Sequence, residues 1–227
     1  MALPLYLALT ASEMSGNLLP ENAAFLSCHF SPGGRGLSNL PDRLPDGAML
    51  ILDDSAPMDG HDPDLILMQL RAQAEQWKYV SLLLDFQRPG IRAQQELAEF
   101  LASSLSCPVC VSELYAGGLS CPIFLPPVPP DMPLKEYVSP RAGREIWLET
   151  ALDGLTLTLT ESGCTTAPLP DFPEEGQKDD KLHCHYTVEA PATFHLWRTR
   201  EDLNALLKEA ETLGVSQAVG LWQELGW

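Results

Sequence analysis

The sequence predicts a compact (β/α)8 barrel, a closed ring of eight parallel strands in which several of the connecting helices are reduced. Eight short apolar runs are separated by turn signals, and continuous apolar runs of this length are typical of strands buried on both faces. Helical patterns lie between several of the runs, which indicates an α/β protein with a parallel sheet. The chain has 227 residues, whereas about 250 residues is usual for this fold.

The predicted strands are distributed along the whole chain, and each ends at a turn signal or at a polar residue. In chain order they cover Leu5–Leu9, Ala23–Cys28, Ala48–Leu52, Tyr79–Phe86, Pro108–Val111, Pro122–Leu125, Glu145–Leu148 and Gln217–Trp222. Because the chain is short for a barrel, we expect the helices to be missing or reduced between the first and second, the second and third, and the fifth and sixth strands.

Three helices are predicted from capping residues and apolar periodicity. Asp62 is a helix-capping residue, and Pro63 suits the first helical position. A second helical pattern runs over 97–105. Before the last strand, Thr199 and Asp202 have the spacing of a capping box, in which each residue satisfies a free backbone N–H of the first turn. An apolar stripe with helical spacing follows this cap.

One segment, residues 153–198, interrupts the pattern between the seventh and eighth strands. Leu155–Thr160 and Tyr186–Val188 alternate and are rich in β-branched residues, which predicts a small antiparallel β excursion. The connector Ala167–Asp180 contains three prolines and five acidic residues, and this composition predicts a mobile loop. We expect residues 1–227 to form one barrel domain that includes the excursion.

The charge of the chain excludes two classes of partner. Lys and Arg number 14 and Asp and Glu number 31, so the formal net charge is −17. Such a chain repels the phosphates of nucleic acids and anionic membrane surfaces. There is no uninterrupted apolar stretch of about 18 residues, and the first ten residues lack the basic region of a signal peptide. We therefore predict a cytoplasmic protein without nucleic-acid or membrane partners; the oligomeric state stays open.

The six cysteines are predicted to be reduced and mostly buried, because most of them lie in apolar runs of a long chain. Cys107 and Cys110 have the C-x-x-C spacing of zinc ligands, and His183, Cys184 and His185 offer further soft ligands, so a zinc site is the alternative. We favour the structural role because the chain contains no second C-x-x-C, and we expect no cofactor.

Function in a (β/α)8 barrel lies at the carboxyl ends of the strands. The polar and aromatic residues at those ends are His29, Asp53, Asp54, Asp85, Gln87, Glu113, Glu149, Trp222 and Glu224. Paired carboxylates perform acid–base chemistry on glycosidic bonds, and aromatic faces stack on sugar rings. The alternative is that these residues only form the polar rim that any α/β sheet has at its strand ends.

Two stretches resemble glycoside hydrolase family 18. The segment from Tyr79 to Gln87 resembles the strand-four motif of that family, D-x-x-D-x-D-x-E, and the closing stretch 194–226 is similar to the end of bacterial members of its spore-cortex and peptidoglycan-lytic branch. The resemblance implies a barrel fold and a ligand that contains N-acetylglucosamine. The small β excursion before the last strand is also similar to the inserted β region of the family.

The motif is incomplete in this chain. Asp85 is retained, but Val80 and Leu83 occupy the positions of the first two aspartates, and Gln87 occupies that of the glutamate. In the family, this glutamate protonates the leaving oxygen while the acetamido group of the substrate attacks the anomeric carbon. A carboxamide forms hydrogen bonds but cannot act as a proton donor in this step. The resemblance leaves Asp85 able to orient an acetamido group and Trp222 able to support a sugar ring.

Three functions follow as hypotheses. The first is a degenerate member of the family that binds an N-acetylglucosamine-containing glycan without normal catalysis. The second is an active glycoside hydrolase that uses other rim carboxylates, namely Glu113, Glu149, Asp53 or Asp54. It requires two carboxyl groups about 5–10 Å apart across the barrel opening. The third is a non-catalytic barrel that binds other proteins, because this fold supports many unrelated functions.

Overall fold

The computed structural model describes residues 3–16, 19–58 and 60–226 and contains two β-sheets. In chain order the strands are β1 (Leu5–Leu9), β2 (Ala23–Phe30), β3 (Leu37–Ser38), β4 (Met49–Asp53), β5 (Ser81–Asp85), β6 (Val109–Ser112), β7 (Ile123–Leu125), β8 (Ile146–Thr150), β9 (Gly154–Thr160), β10 (Gly163–Pro168), β11 (Gln177–Asp179), β12 (Cys184–Glu189), β13 (Thr193–Trp197) and β14 (Val215–Leu221). The α-helices are α1 (Ala11–Met14), α2 (Pro63–Trp77), α3 (Arg92–Ser104), α4 (Glu113–Ala116), α5 (Leu134–Val138), α6 (Arg200–Thr212) and α7 (Trp222–Leu225).

Eight parallel strands close into a barrel. Their order is β1-β14-β8-β7-β6-β5-β4-β2, and β1 pairs with β2 to complete the ring. The short strand β3 adds an antiparallel edge to β2. Each of the eight apolar runs coincides with one barrel strand to within a few residues. The predicted (β/α)8 barrel is therefore confirmed.

The long helices begin at the predicted caps. The Asp62 side chain accepts hydrogen bonds from the first turn of α2, with Pro63 at the first helical position. At the start of α6, the Thr199 hydroxyl and the Asp202 carboxylate form the reciprocal capping box. The predicted reductions are also found: only the four-residue helices α1 and α4 follow β1 and β6, and β3 occupies the connection between β2 and β4. The connection between β7 and β8 is reduced as well, to the five residues of α5 and a 3₁₀ turn over Ser139–Arg141.

The barrel wall separates two apolar regions. We call the larger one the outer core; it includes strand residues such as Leu84 and helix residues such as Leu97 and Leu203. We call the inner one the lumen cluster, and it consists of Ala8, Ala24, Met49, Ile51, Leu83, Cys110, Phe124, Trp147 and Val219. Trp147 is almost fully buried. Because side chains fill the barrel interior, a ligand has to bind above the lumen cluster rather than within it.

The second sheet is the predicted antiparallel excursion, with strand order β10-β9-β13-β12-β11. It contacts α6 through the ion pair between Lys178 and Glu201 and through hydrogen bonds from the imidazoles of His183 and His185 to carboxylates of that helix. The prediction of a mobile loop over 167–180 was wrong at both ends. The first two residues belong to β10 and residues 177–179 form β11, because neighbouring strands pair with them despite the acidic composition.

The helices in the described part of the chain are too short or too polar to cross a membrane.

Candidate functional site

Three polar side chains lie in register at the carboxyl-terminal opening of the barrel, which we call the mouth. His29 of β2 is opposite Asp53, the last residue of β4, and Asp53 is opposite Asp85, the last residue of β5. Side chains alternate between the two faces of a strand. Since Ile51 and Leu83 point into the lumen cluster, the carboxylates two residues further along point into the mouth.

Glu149 reaches the mouth from the other side of the barrel by the same alternation. It follows Trp147 of the lumen cluster by two residues on β8. The charge of Asp85 raises the pKa of Glu149, so the two carboxyl groups interact electrostatically. The strands therefore bring together Asp53, Asp85 and Glu149, which the sequence places about 30 to 100 residues apart.

Asp85 is held by the side chain of Gln87. The Gln87 side-chain amide donates a hydrogen bond of 2.5 Å to Asp85 Oδ1. Burial raises the pKa of Asp85 to about 6, and the charges of Asp53 and Asp54 add to this rise, whereas the bond from Gln87 opposes it. Asp85 is thus ionised for most molecules at neutral pH and retains Oδ2 as a hydrogen-bond acceptor.

Glu149 has a different environment. It makes no hydrogen bond or ion pair with another residue of the described part of the chain. Burial raises its pKa to about 7, and the charges of Asp85, Glu224 and Asp153 add to the rise. The raised pKa favours the protonated carboxyl near neutral pH, which is the state that a general acid requires.

Asp53 and Asp54 have structural hydrogen bonds. Asp53 Oδ1 accepts a bond of 2.8 Å from the backbone N–H of Ser55. Asp54 is buried and accepts bonds from the backbone N–H groups of Gln87 and Arg88 and from the side-chain amide of Gln94, at 2.9–3.1 Å. Asp54 therefore fixes the loop that carries Gln87. No local pattern in the sequence indicates the role of Gln94, which lies 40 residues away from its partner.

Glu113 is bound to a cation. Its two carboxylate oxygens accept hydrogen bonds of 2.7 Å each from the guanidinium of Arg141. This bidentate pairing lowers the pKa of Glu113, so it is ionised at neutral pH. The geometry thus does not favour Glu113 as a proton donor.

Trp222 and Glu224 lie on the short helix α7. The Trp222 ring packs partly buried against the outer core, and its atoms lie directly beside Gly226. Its packing on the outside of the barrel wall does not favour the predicted role as the floor of a sugar site. Glu224 accepts a bond of 3.3 Å from the backbone N–H of Leu152, and its charge acts on Glu149. Of the two residues, Glu224 is thus the one linked to the mouth.

His29 is oriented by the backbone of its own strand. Its Nδ1–H donates a hydrogen bond of 3.0 Å to the carbonyl oxygen of Ser27. The ring is partly exposed at a position in register with Asp53. His29 can therefore contribute a polar edge to the rim, and its predicted role in ligand binding stays a prediction.

A buried arginine near the mouth was not found from the sequence. Arg198 is 2% exposed and pairs with Asp153 at 3.1 Å. It also donates to the carbonyl oxygens of Val128 and Pro129 and so ties the antiparallel sheet to the loop after β7. Because these partners are 45 to 70 residues away, no local pattern indicates the contact.

The cysteines do not form the alternative zinc site. Cys110 belongs to the lumen cluster, whereas Cys107 packs against the outer core on the other side of the barrel wall. His183 and His185 pair with Glu209 and with the cap of α6 instead. Across residues 3–16, 19–58 and 60–226 no group of three potential ligands could hold a metal ion. The six cysteines are free thiols.

Among the described residues, one mouth carboxylate borders a small crevice. Glu149 borders a crevice of only about 10 Å³, together with Arg198 and Leu206. A cavity of about 510 Å³ lies elsewhere, between the starts of α2 and α3, and is lined by His61 and Phe100 among others. A ligand at the mouth would therefore lie across the rim.

Comparisons with known proteins identify the fold. No protein-family model and no curated protein matches the sequence. The Bacillus cereus spore cortex-lytic enzyme SleL superposes with a TM-score of 0.56 at 13% identity, over 99% of this chain and 71% of SleL. The chitinase-like agglutinin RobpsCRA from Robinia pseudoacacia gives a TM-score of 0.60 at 10% identity, over 98% and 96% of the two chains.

A third solved structure holds a sugar. The glycoside hydrolase family 18 chitinase from Cycas revoluta, in complex with (GlcNAc)3, gives a TM-score of 0.55 at 11% identity, over 96% of this chain and 94% of the chitinase. At these identities the likeness concerns the fold. The chain therefore has the (β/α)8 fold of the glycoside hydrolase family 18 chitinases and of SleL.

Proposed function

We propose that this protein binds a glycan containing N-acetylglucosamine across the mouth of its barrel, without the ordinary hydrolysis of glycoside hydrolase family 18. The observation that carries the proposal is the hydrogen bond of 2.5 Å between Gln87 and Asp85. By the sequence resemblance, Gln87 aligns with the acid of the family and Asp85 with the one aspartate of the motif that this chain retains. A carboxamide at that position does not supply the proton that the glutamate of the family supplies, which supports binding without that mechanism.

The chemistry of the mouth suits a neutral, hydroxyl-rich and amide-rich ligand. Oδ2 of Asp85 can accept a hydrogen bond from a sugar hydroxyl or an acetamido N–H, and the His29 imidazole offers a further polar contact. Among the neighbours in fold, the chitinase from Cycas revoluta is in complex with (GlcNAc)3. An anionic ligand is disfavoured, because Asp53, Asp85 and Glu149 give the mouth negative charge.

Of the rim carboxylates that an active hydrolase could use, Glu149 is the one that best suits proton transfer. Glu113 is neutralised by Arg141, Asp54 holds the loop after β5, and Asp53 caps the turn at Ser55. These three side chains have structural partners that compete with a role in proton transfer. Glu149 remains as a carboxyl without such a partner.

The test is calorimetric titration with N-acetylglucosamine tetramer, with cellotetraose as the sugar that lacks acetamido groups. We expect the tetramer to bind and Asp85→Asn to weaken binding roughly 10- to 100-fold, the effect of removing one hydrogen bond to a charged group. Glu75→Gln, which changes an exposed carboxylate on α2, is the matched control. Equal heats for wild type and Asp85→Asn, or no binding at millimolar tetramer, would overturn the proposal and favour a protein-interaction barrel.

A further inference from the structure

Glu149 differs from the other acidic residues of the rim in having no partner among the described residues. The carboxylates of Glu113, Asp53 and Asp54 are engaged by a cation or by N–H donors, and one oxygen of Asp85 is engaged by Gln87. An unengaged carboxyl in a partly buried position has a cost, since burial disfavours its charged form. Its place in the mouth therefore calls for an explanation beyond packing.

The position of Glu149 relative to Asp85 suits a pair of catalytic carboxyls. Both side chains point into the mouth, each two residues beyond a member of the lumen cluster. Their strands, β5 and β8, are separated by β6 and β7 in the ring, which is three steps of about 4.8 Å around the wall. The charge of Asp85 acts on Glu149 across the mouth. A pair of carboxyls that uses a water molecule as the nucleophile needs the wider spacing, about 6.5–9.5 Å, at which that water fits between one carboxylate and the sugar.

We propose that Glu149 is a proton donor and Asp85 a general base for a slow glycosidic hydrolysis in this mouth, in which Gln87 transfers no proton. The proposal rests on the proposed glycan binding. As the bond between the anomeric carbon and the bridging oxygen breaks, the Glu149 carboxyl gives its proton to that oxygen. A water attacks the anomeric carbon from the opposite face and gives a proton to the Asp85 carboxylate. The reaction consumes one water and leaves a free anomeric hydroxyl on one fragment and an alcohol hydroxyl on the other. Exchange with solvent then removes the proton from Asp85 and returns one to Glu149.

The groups around each carboxyl support this division of roles. Burial and the charges of Asp85, Glu224 and Asp153 raise the pKa of Glu149 to about 7. The pKa of Asp85 is about 6, because the Gln87 amide partly offsets its burial and the charges of Asp53 and Asp54. Between these values one carboxyl is protonated and the other ionised, so hydrolysis should be greatest near pH 6.5 and fall on both sides.

The stereochemistry of the product distinguishes this mechanism from that of the family. Attack by water inverts the anomeric carbon, whereas attack by the acetamido group of the substrate leads to retention. The experiment incubates the protein with N-acetylglucosamine tetramer and follows cleavage by mass spectrometry and the first anomer formed by proton NMR. Binding of the same tetramer is measured in parallel by calorimetry.

We expect slow cleavage with inversion, a maximum near pH 6.5, and a loss of roughly 100-fold or more in Glu149→Gln without a matching loss of binding. Glu75→Gln should cleave as wild type does, and circular dichroism should show both variants folded. Binding without cleavage, cleavage with retention, or unchanged cleavage in Glu149→Gln overturns the role of Glu149 and leaves the proposed binding intact. Absence of binding overturns the proposed function and this inference together.

Discussion

Asp53 and Asp85 face each other in register at the ends of two neighbouring parallel strands, and both carboxylates point into the barrel mouth. Like charges at directly opposite strand positions repel each other. The arrangement therefore costs free energy, and part of that cost appears in the raised pKa of Asp85. Repulsion between like charges that shifts a pKa in this way is common at functional sites, where side chains are arranged for a ligand rather than for stability.

The first prediction follows from this repulsion. Asp53→Asn should lower the pKa of Asp85 below its value of about 6, because one of the charges that raise it is removed. Carbon-13 NMR titration of the side-chain carboxyls measures the change directly. The Glu75→Gln variant should leave the pKa of Asp85 where it is, and an equal value in wild type and Asp53→Asn would show that the two carboxylates do not interact.

Restoring the acid of the family at position 87 should not restore its activity. Gln87→Glu removes the amide that donates to Asp85 and puts a second carboxyl within hydrogen-bond distance of the first. Leu83, which belongs to the lumen cluster, stands where the family has a further aspartate to tune this glutamate. We expect little chitin-oligomer cleavage with retention of configuration. Strong turnover with retention in the single variant would contradict this view of the motif.

The raised pKa of Glu149 predicts how stability depends on pH. The folded-state pKa is about 7 against an ordinary value of 4.5, so folding favours the protonated form. The stabilisation is complete below about pH 4.5 and is lost as the pH rises through 7. Glu149→Gln, which resembles the protonated form, should therefore be more stable than wild type at pH 8, by roughly 3 kcal/mol at most, with a smaller difference at pH 5.

Urea unfolding at the two pH values checks the prediction. Glu75→Gln should change stability by less than about 0.5 kcal/mol at both, as exposed substitutions usually do. If Glu149→Gln were less stable than wild type at pH 8, the carboxylate would have a stabilising partner and the assignment of Glu149 as an unengaged acid would fail.

Local patterns in the sequence predicted the barrel well. Its strands are continuous apolar runs, and α2 and α6 begin at capping residues whose partners lie within three positions along the chain. The residues of the rim could be named from their positions at the strand ends, because the carboxyl ends of all strands of a parallel barrel lie at the same opening. Alternation around Leu83 and Trp147 could also have shown which carboxylates point inward.

The partners of the rim residues could not be predicted, because they lie far away in the sequence. Arg141 is 28 residues from Glu113, and Gln94 is 40 residues from Asp54. Whether a carboxylate is free or engaged is decided by such contacts. The same holds for Trp222, whose ring packs on the outer core by tertiary contacts. A strand-end residue can thus be named from the sequence, but its chemical role needs the fold.

Asp54 should position the site without touching the ligand. It is buried and holds the backbone N–H groups of Gln87 and Arg88 and the amide of Gln94. Asp54→Asn replaces one acceptor oxygen by an NH2 group, so at least one of these donors loses its partner. We expect a loss of about 2 kcal/mol in unfolding free energy and weaker binding of N-acetylglucosamine tetramer, because Gln87 no longer has a fixed position beside Asp85.

Asp54 could affect binding by positioning Gln87 or only by supporting the fold. Measurements of tetramer affinity and of unfolding free energy distinguish these two roles. If Asp54 positions Gln87, the double variant Asp54→Asn/Gln87→Ala should bind the tetramer no more weakly than Gln87→Ala alone, since the two changes act through one side chain. In urea unfolding, Asp54→Asn should lose about as much stability relative to wild type as the double variant loses relative to Gln87→Ala. Additive losses of affinity would instead mean that Asp54 supports binding by a route other than Gln87.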